Sequence, residues 1–328
     1  MTSPRLSVAM PVRNGENYLA EALESICCQS FADFELVVSE NASTDATADI
    51  LASFQKRDSR IKVSRCETML PQVANINRSV SLTSGRWVKI ICHDDMMRPD
   101  CLERIDAQLD LAESTGVGLI GNGERHLFMN GYATDPSVPV APTQFSGRDA
   151  IVAILNGRND FDIPALTTAT VLKTAFEDVG GLNPAYRHMV DVFCWMELLV
   201  RYNFIYLPQP LTFNRIHGGQ SASILTKELA SVRDLQTFIP YFLDRYGDTL
   251  ALPRSVKARA RLKPLGEAAA KIANELMGGR QKKAMAMART LPSYTLPMLS
   301  ALVLRAWLKQ RQSFAHHSGN VSRSMMFP

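Results

Sequence analysis

The chain has 328 residues, 46% apolar and 21% charged, with a formal net charge of +4. That length suits two domains or one large α/β domain with an extension, and the apolar fraction can build a real core. The longest apolar runs fall well short of the ~20 residues of a membrane-spanning helix, which excludes an integral membrane protein of that kind.

The six cysteines are Cys27, Cys28, Cys66, Cys92, Cys101 and Cys194. None forms a C-x-x-C pair and most sit in apolar patterns. That usage predicts reduced thiols in a cytoplasmic protein, with no zinc site and no disulfide frame. The opening apolar run, Leu6–Val12, is too short for a secretory signal. Charge is uneven. From Pro253 onward there are 14 Lys and Arg against two acids, Glu267 and Glu275, a balance of +12; the rest carries 22 against 30, or −8. An acidic front and a basic tail imply different jobs.

Leu6–Met10 is a strand-length run ended by Pro11, and Asn14-Gly15 is a turn signal. Glu16–Ser30 has helical spacing, with Tyr18, Leu19, Ala22, Leu23 and Ile26 on one face. Phe34–Val38 is the second strand. The polar loop Ser39–Asp45 follows, and Thr44 or Asp45 can cap a helix running to about Phe54. Ile61–Val63 is a third strand, Val73–Leu82 a helix, and Trp87–Cys92 a fourth strand. Cys101–Ala112 is helical and Val117–Ile120 is a fifth strand. Alternation of this kind predicts a parallel sheet covered by helices on both faces. The loops leaving its strands, Pro11–Gly15, Ser39–Asp45 and His93–Pro99, would form one binding edge.

The regularity ends after Asn122. Leu127–Ala133, with Asn130-Gly131, reads as a hairpin or edge strand. Asp135–Gln144 holds three prolines and reads as an exposed loop. Asp149–Leu155 is a short helix, Thr167–Leu172 is strand-like, and Val192 to Arg201 is helical. Phe204–Leu207 and Leu211–Asn214 are two short strands. Beyond Ser223 the pattern is helical: Lys227–Tyr246, Ser255–Met277, Gln281–Ala288 and Pro297–Gln310. Gln312–Pro328 has the composition of a disordered tail.

Adjacent carboxylates, Asp94 and Asp95, follow the fourth strand directly. Acids at the carboxyl end of a buried strand can ligate a hard cation, Mg²⁺ or Mn²⁺, bridging to phosphate. They can equally cap the next turn and helix. The first loop, Pro-Val-Arg-Asn-Gly-Glu, has no G-x-G-x-x-G, and no P-loop occurs. Phosphate bound here would need a metal rather than a glycine nest.

Four stretches together resemble the inverting nucleotide-sugar glycosyltransferases of family 2, which have the GT-A fold. They are LSVAMPVRNGENYLAEALESICCQSFADFELVVSENASTD, the run Asn77…Gly85…Asp94-Asp95…Pro99, GGLNPAYRHMVD and NRIHGGQSAS. The resemblance runs from about Leu6 to Ser223. It implies a mostly parallel central sheet flanked by helices, with a nucleotide-binding half to about residue 122 and an acceptor half over 123–223. Residues 224–311 would be a basic helical extension. It further implies that Pro11, Val12, Arg13, Asn14, Glu40 and Asn41 line the donor site. Glu40 stands where the family usually has Asp, and a carboxylate there can accept the uracil N3–H. Asp94 matches the last acid of the family's D-x-D motif, and Cys92 stands in place of the first; His93 or Asp95 could substitute. Asp191 matches the catalytic base, with Val190 where the family often has Glu. His217 matches a late histidine near the diphosphate or metal, and Arg215 could clamp phosphate. Asp94, Asp95 and His217 are thus the implied ligands of Mn²⁺ or Mg²⁺. The implied partners are a nucleoside-diphosphate sugar, UDP- or dTDP-linked, and a glycan or lipid-linked acceptor.

Each residue also has a plain structural reading. Asp191 alone reads as a helix cap, His217 as a solvated loop residue, Glu40 and Arg215 as surface charges, and Cys92, Trp195 and Met196 as packing. In the tail, Leu299, Leu302, Val303, Ala306 and Trp307 against Arg305, Lys309 and Arg311 make a basic amphipathic pattern. Such a helix suits the inner face of the cell membrane, or else packs on the domain with its charges solvated. Nothing in the chain is a nucleic-acid-binding motif. The function expected is sugar transfer in polysaccharide or glycolipid synthesis. A donor-binding or scaffold protein without turnover is the alternative, because the D-x-D motif is broken at Cys92. Donor selectivity would lie in loops such as Asp135–Gln144 and Asn156–Leu166.

Overall fold

The computed structural model describes residues 3–128, 141–157, 161, 163–217, 230–277 and 279–289. The chain divides into two compact units, Met1–Gln220 and Ser221–Pro328.

The first unit is built on one sheet. Its first strands are β1 (Leu6–Val12), β2 (Phe34–Glu40), β3 (Ile61–Arg65) and β4 (Trp87–Ile90). They pair in parallel in the spatial order β3-β2-β1-β4. β1, β2 and β4 are buried almost throughout, as strands covered on both faces must be. Helices α1 (Leu19–Cys27), α2 (Thr47–Arg57), α3 (Gln72–Ser81) and α4 (Cys101–Ser114) make the crossovers. Leu19, Leu23 and Ile26 of α1 join Leu102, Ile105 and Leu109 of α4 in one core with β1 and β2.

The mostly parallel sheet expected is present, and β8 (Ala169–Leu172) is one strand that departs from it, running antiparallel between β4 and β6. Hydrophobicity reports burial, not direction, so the apolar run Thr167–Leu172 could not announce this. A turn of 3₁₀ helix, Leu166–Thr168, leads into it. β6 (Val117–Phe128) is longer than the expected Val117–Ile120 and pairs in parallel with β9 (Asn203–Ile216). β9 is continuous where two short strands were expected. Pro208 and Pro210 interrupt its apolar pattern, and the register shifts beside them at Asn122, Gly123 and Glu124 absorb the irregularity. Gly123 is required there: a Cβ would stand 2.7 Å from the Pro208 carbonyl oxygen. Two antiparallel steps restore direction, so β6 and β9 end at the same edge as β1, β2 and β4.

Two short strands had no sequence signal. β5 (Met96–Met97) pairs with β9, and β7 (Thr143–Phe145) pairs with β9 where Asp135–Gln144 read as loop. Residues 129–140, most of both the expected hairpin and that loop, lie outside the described residues. α5 (Gly147–Asn156) is capped by Ser146 Oγ, which accepts from the Asp149 N–H at 3.1 Å, and ends at Gly157 with φ 64°. α6 (Lys173–Asp178) and α7 (Val190–Leu199) complete the unit; α7 begins two residues earlier than expected.

In the second unit, α8 (Ala230–Tyr246), α9 (Arg254–Met277) and α10 (Gln281–Arg289) are described. Pro264 lies inside α9 and does not end it, in keeping with the expected helix Ser255–Met277. Val232, Ala268, Ala269, Ile272, Ala284 and Met287 form a small core. The expected helix Pro297–Gln310 and the tail Gln312–Pro328 lie outside the described residues.

Under the sheet, Glu35 of β2 is 4% exposed. Its carboxylate accepts from Ser7 Oγ at 2.7 Å, the Ser84 N–H at 2.5 Å and Lys62 Nζ at 2.6 Å. Burial alone would raise its pKa, but Lys62, Ser84 and Ser7 outweigh that and pull it down to about 2. A depressed acid stabilises the fold above its unfolded pKa and loses that contribution as pH falls through the folded value. Lys62 is largely exposed, so solvent screening reduces its share of the gain. Glu35→Gln is expected to lower stability by about 1–3 kcal/mol at neutral pH and to flatten the acid limb between about pH 4.5 and 2. Urea unfolding across that range measures it.

Candidate active site

Three loops leave β1, β2 and β4 at one edge, and side chains tie them together. The Asn14 N–H donates to Ser43 Oγ at 2.9 Å, and Asn14 Oδ1 accepts from the Thr44 N–H at 3.0 Å. The Gly15 N–H donates to Thr47 Oγ1 at 2.8 Å, and the Glu16 N–H to Asp45 Oδ2 at 3.1 Å. Asp45 Oδ1 also takes the Thr47 N–H at 3.1 Å, so it serves the first turn of α2 as expected of it. Asn14 and Ala42 hold φ of 50° and 49°, a left-handed backbone that these bonds keep in place.

Pro11 and Val12 end β1, with Val12 opposite Glu40 on β2. The Val12 side chain belongs to the core, and its carbonyl accepts from the Asn41 N–H at 2.9 Å. Arg13 and Asn14 are exposed. The Asn41 amide closes a two-bond ring with the backbone of Leu70, at 2.9 and 2.7 Å. Glu40 is 1% exposed. Its Oε1 accepts from the Ser43 N–H at 2.6 Å. Arg65 Nε stands 3.0 Å from Oε2, yet that oxygen receives no well-directed hydrogen bond.

His93 packs on Gly15, where an added Cβ would meet the imidazole at 2.7 Å. Burial lowers its pKa, so the ring is held neutral. Asp94 follows. Its Oδ2 lies 3.0 Å from His217 Nε2, at the end of β9. Asp95 is 3% exposed and accepts from the Arg215 N–H at 3.0 Å. Burial and the adjacent Asp94 push its pKa up to about 7.

Asp191 lies in the first turn of α7, where Oδ1 accepts from the Val192 N–H at 2.8 Å. Burial raises its pKa to about 6, against opposing bonds from Val192, its own backbone and Leu166. Burial, then the charges of Asp95, Asp94 and Asp191, raise the pKa of the Cys92 thiol well above the ordinary value.

The Cys92 sulfur and one oxygen each of Asp94 and Asp95 lie within 4.8 Å of one another. Those three could hold a divalent cation; His217 approaches through Asp94 Oδ2 and is not one of that group. Arg215 is engaged within the protein. Its Nε donates to the Asp94 carbonyl at 3.1 Å, its Nη2 meets Glu21, and its guanidinium lies 4.8 Å over the Tyr18 ring. Tyr18 also packs on His217, ring centroids 4.7 Å apart.

Sequence reasoning passed over Lys89, Tyr18, Glu21, Asn122 and Thr167 as parts of this region. A signal existed for Lys89: it is the one charge inside the apolar run Trp87–Cys92.

Residues 7–122 match the sequence profile of the family described as Glycosyl transferase family 2. TuaG of Bacillus subtilis, a glycosyltransferase assigned to teichuronic acid biosynthesis, is 32% identical over 197 residues, 60% of this chain and 72% of that protein. The chain belongs to glycosyltransferase family 2. An uncharacterized glycosyltransferase of Haemophilus influenzae is 24% identical over 260 residues, 77% of this chain and 79% of its own length. Among solved structures, residues 1–349 of Staphylococcus aureus TarS superpose with a TM-score of 0.60 at 14% identity, covering 95% of this chain and 92% of that one. The Pyrobaculum calidifontis mannosyltransferase PcManGT, in complex with GDP-Man and Mn²⁺, gives 0.56 at 16% identity, covering 94% and 87%. The expected GT-A fold is thus present, and this glycosyltransferase is an enzyme of the transferase class. No described helix is long and apolar enough to cross a membrane.

The Arg215 brace makes a stability expectation for the transferase. Arg215→Met removes charged hydrogen bonds to Asp94 and Glu21 and should cost about 1–3 kcal/mol, read as a lower melting temperature. An unchanged melting temperature would show that the brace carries no energy.

Proposed function

We propose that this glycosyltransferase moves a sugar, with inversion, from a UDP- or dTDP-linked donor to a hydroxyl acceptor in polysaccharide or glycolipid synthesis. The observation that supports it most is the gathering of Asp94, Asp95 and Cys92, with His217 on Asp94, at the carboxyl edge of the sheet. In this reading the donor lies along the loops of Pro11, Val12, Arg13, Asn14, Glu40, Asn41 and His93. Glu40 offers the base a buried carboxylate oxygen. Arg215 serves the donor indirectly, by fixing the Asp94-Asp95 turn.

Asp94, Asp95 and His217 would hold Mn²⁺ or Mg²⁺. A divalent cation there supplies charge neutralisation for the departing nucleoside diphosphate. Asp191 takes the acceptor's hydroxyl proton as that oxygen attacks the anomeric carbon and the bond from this carbon to phosphate breaks. A single carboxylate is enough for one displacement. The raised pKa leaves Asp191 a stronger base than an ordinary Asp and still ionised at neutral pH.

Asp191→Asn is expected to lower turnover about 10²–10⁴-fold while donor affinity stays near that of the parent. In the parent, kcat/KM should fall as pH drops through about 6, because the base protonates there. Near-normal turnover of the Asn variant removes Asp191 as base. Asp94→Ala should weaken donor binding when Mn²⁺ is present and leave metal-free binding little changed; calorimetry with and without the cation decides it. A thermal-shift screen of UDP-, dTDP- and GDP-sugars with Mn²⁺ identifies the donor, since a ligand of the native state raises the melting point.

Cys92 favours one second reading, a donor-binding protein without turnover. Donor binding unaffected by Asp191→Asn, with no sugar released, would establish it. The basic C-terminal unit is assigned to an anionic membrane surface at the cytoplasmic face. Arg254, Arg259 and Arg261 are exposed on α9, and each such charge near anionic headgroups adds roughly 1 kcal/mol.

A further inference from the structure

Lys89 is a charge in the middle of a buried strand. It has no exposed surface and lies on β4 between β1 and β8. An ammonium in such a place must find partners. Its Nζ donates to the Thr167 carbonyl at 2.7 Å and to Asn122 Oδ1 at 3.0 Å. The Asn122 Nδ2 donates in turn to Thr212 Oγ1 at 3.0 Å and to the Gly123 carbonyl at 2.8 Å. One ammonium therefore ties β4 to β6, to β9 and to the Leu166–Thr168 turn. Burial lowers its pKa to about 8, opposed by the charges of Asp95 and Glu124.

The Leu166–Thr168 turn also reaches the acid cluster. Thr167 Oγ1 accepts from the Cys92 N–H at 3.3 Å, and the Cys92 carbonyl accepts from the Asp95 N–H at 3.2 Å.

We propose that Lys89 and Thr167 are positioning residues: Lys89 seats the Leu166–Thr168 turn, and the turn, through the Cys92 backbone, sets Asp95. Neither touches substrate. The inference rests on the reading of Asp94 and Asp95 given above and adds what holds Asp95 in place.

The test uses the full chain with Lys89→Met, Thr167→Val and Thr167→Ser, and Mn²⁺ alone as probe, its unbound fraction read by electron paramagnetic resonance. Charge and position predict opposite signs. Removing a cation close to two carboxylates, by charge alone, tightens Mn²⁺ binding; misplacing Asp95 weakens it. Thr167→Val should weaken Mn²⁺ binding about 10–100-fold, as loss of an outer partner of a metal ligand does. Thr167→Ser, which keeps the hydroxyl, should restore it. Lys89→Met should weaken it too, and the double variant with Thr167→Val should be no worse than the weaker single, because both act through one turn. Tighter binding by Lys89→Met, or parent affinity in Thr167→Val, overturns the proposal. Should Lys89→Met fail to fold by thermal melting, the Val and Ser pair decides alone. A parent protein that binds no Mn²⁺ overturns the metal reading and this inference with it. Parent binding with unaltered variants overturns the inference only.

Discussion

Backbone N–H groups that leave the sheet at its carboxyl edge are answered by side-chain oxygens from the neighbouring loop. Asn14 with Ser43, Gly15 with Thr47 and Glu16 with Asp45 are the clearest cases. A loop donor that leaves a ladder needs some partner, and water would leave the loop mobile. Here the partners are fixed by α2 and β2, so the first two loops move as one body. Side chains placed by such a frame are held to the tolerance that chemistry at a defined atom needs.

Charge at the rim follows the same economy. The charge of Lys89 acts on Asp95, Arg215 holds the Asp94 backbone carbonyl, and His217 meets the Asp94 carboxylate. Cys92, kept as a thiol by its burial, adds no further negative charge to the group. An acid at that position would have brought a third carboxylate against Asp94 and Asp95, and like charges so close resist ionisation together. The departure from the family motif therefore lightens the electrostatic load of the cluster as well as removing a donor.

Much of this was legible in the chain. β1, β2 and β4 are buried on both faces, so their apolar runs stand out, and the helices between them carry clear 3.6-residue spacing. The direction of β8 was not legible, because an apolar strand reads alike either way round. The union of Phe204–Leu207 with Leu211–Asn214 was hidden by Pro208 and Pro210, which a bulged pairing accommodates. At the site, Asp94, Asp95, Asp191, Arg215 and His217 were named from the residues and the family pattern. Their grouping depends on strand order, which no local pattern encodes. Arg215 shows the limit well: its residue type suits phosphate, and its surroundings use it to hold Asp94 and Glu21.

One consequence follows from the place of β6. It closes the stretch that matches the family profile, yet both of its neighbours, β8 and β9, come from later in the chain. The stretch that matches the profile is therefore not a self-sufficient module. As the polypeptide emerges from the ribosome, Val117–Phe128 has no ladder to join until the sequence beyond Ala169 has been made. Such distant pairings are slow to form, and the waiting strand offers an open edge. Truncated or stalled chains of this protein would carry that edge uncovered, as a seed for aggregation.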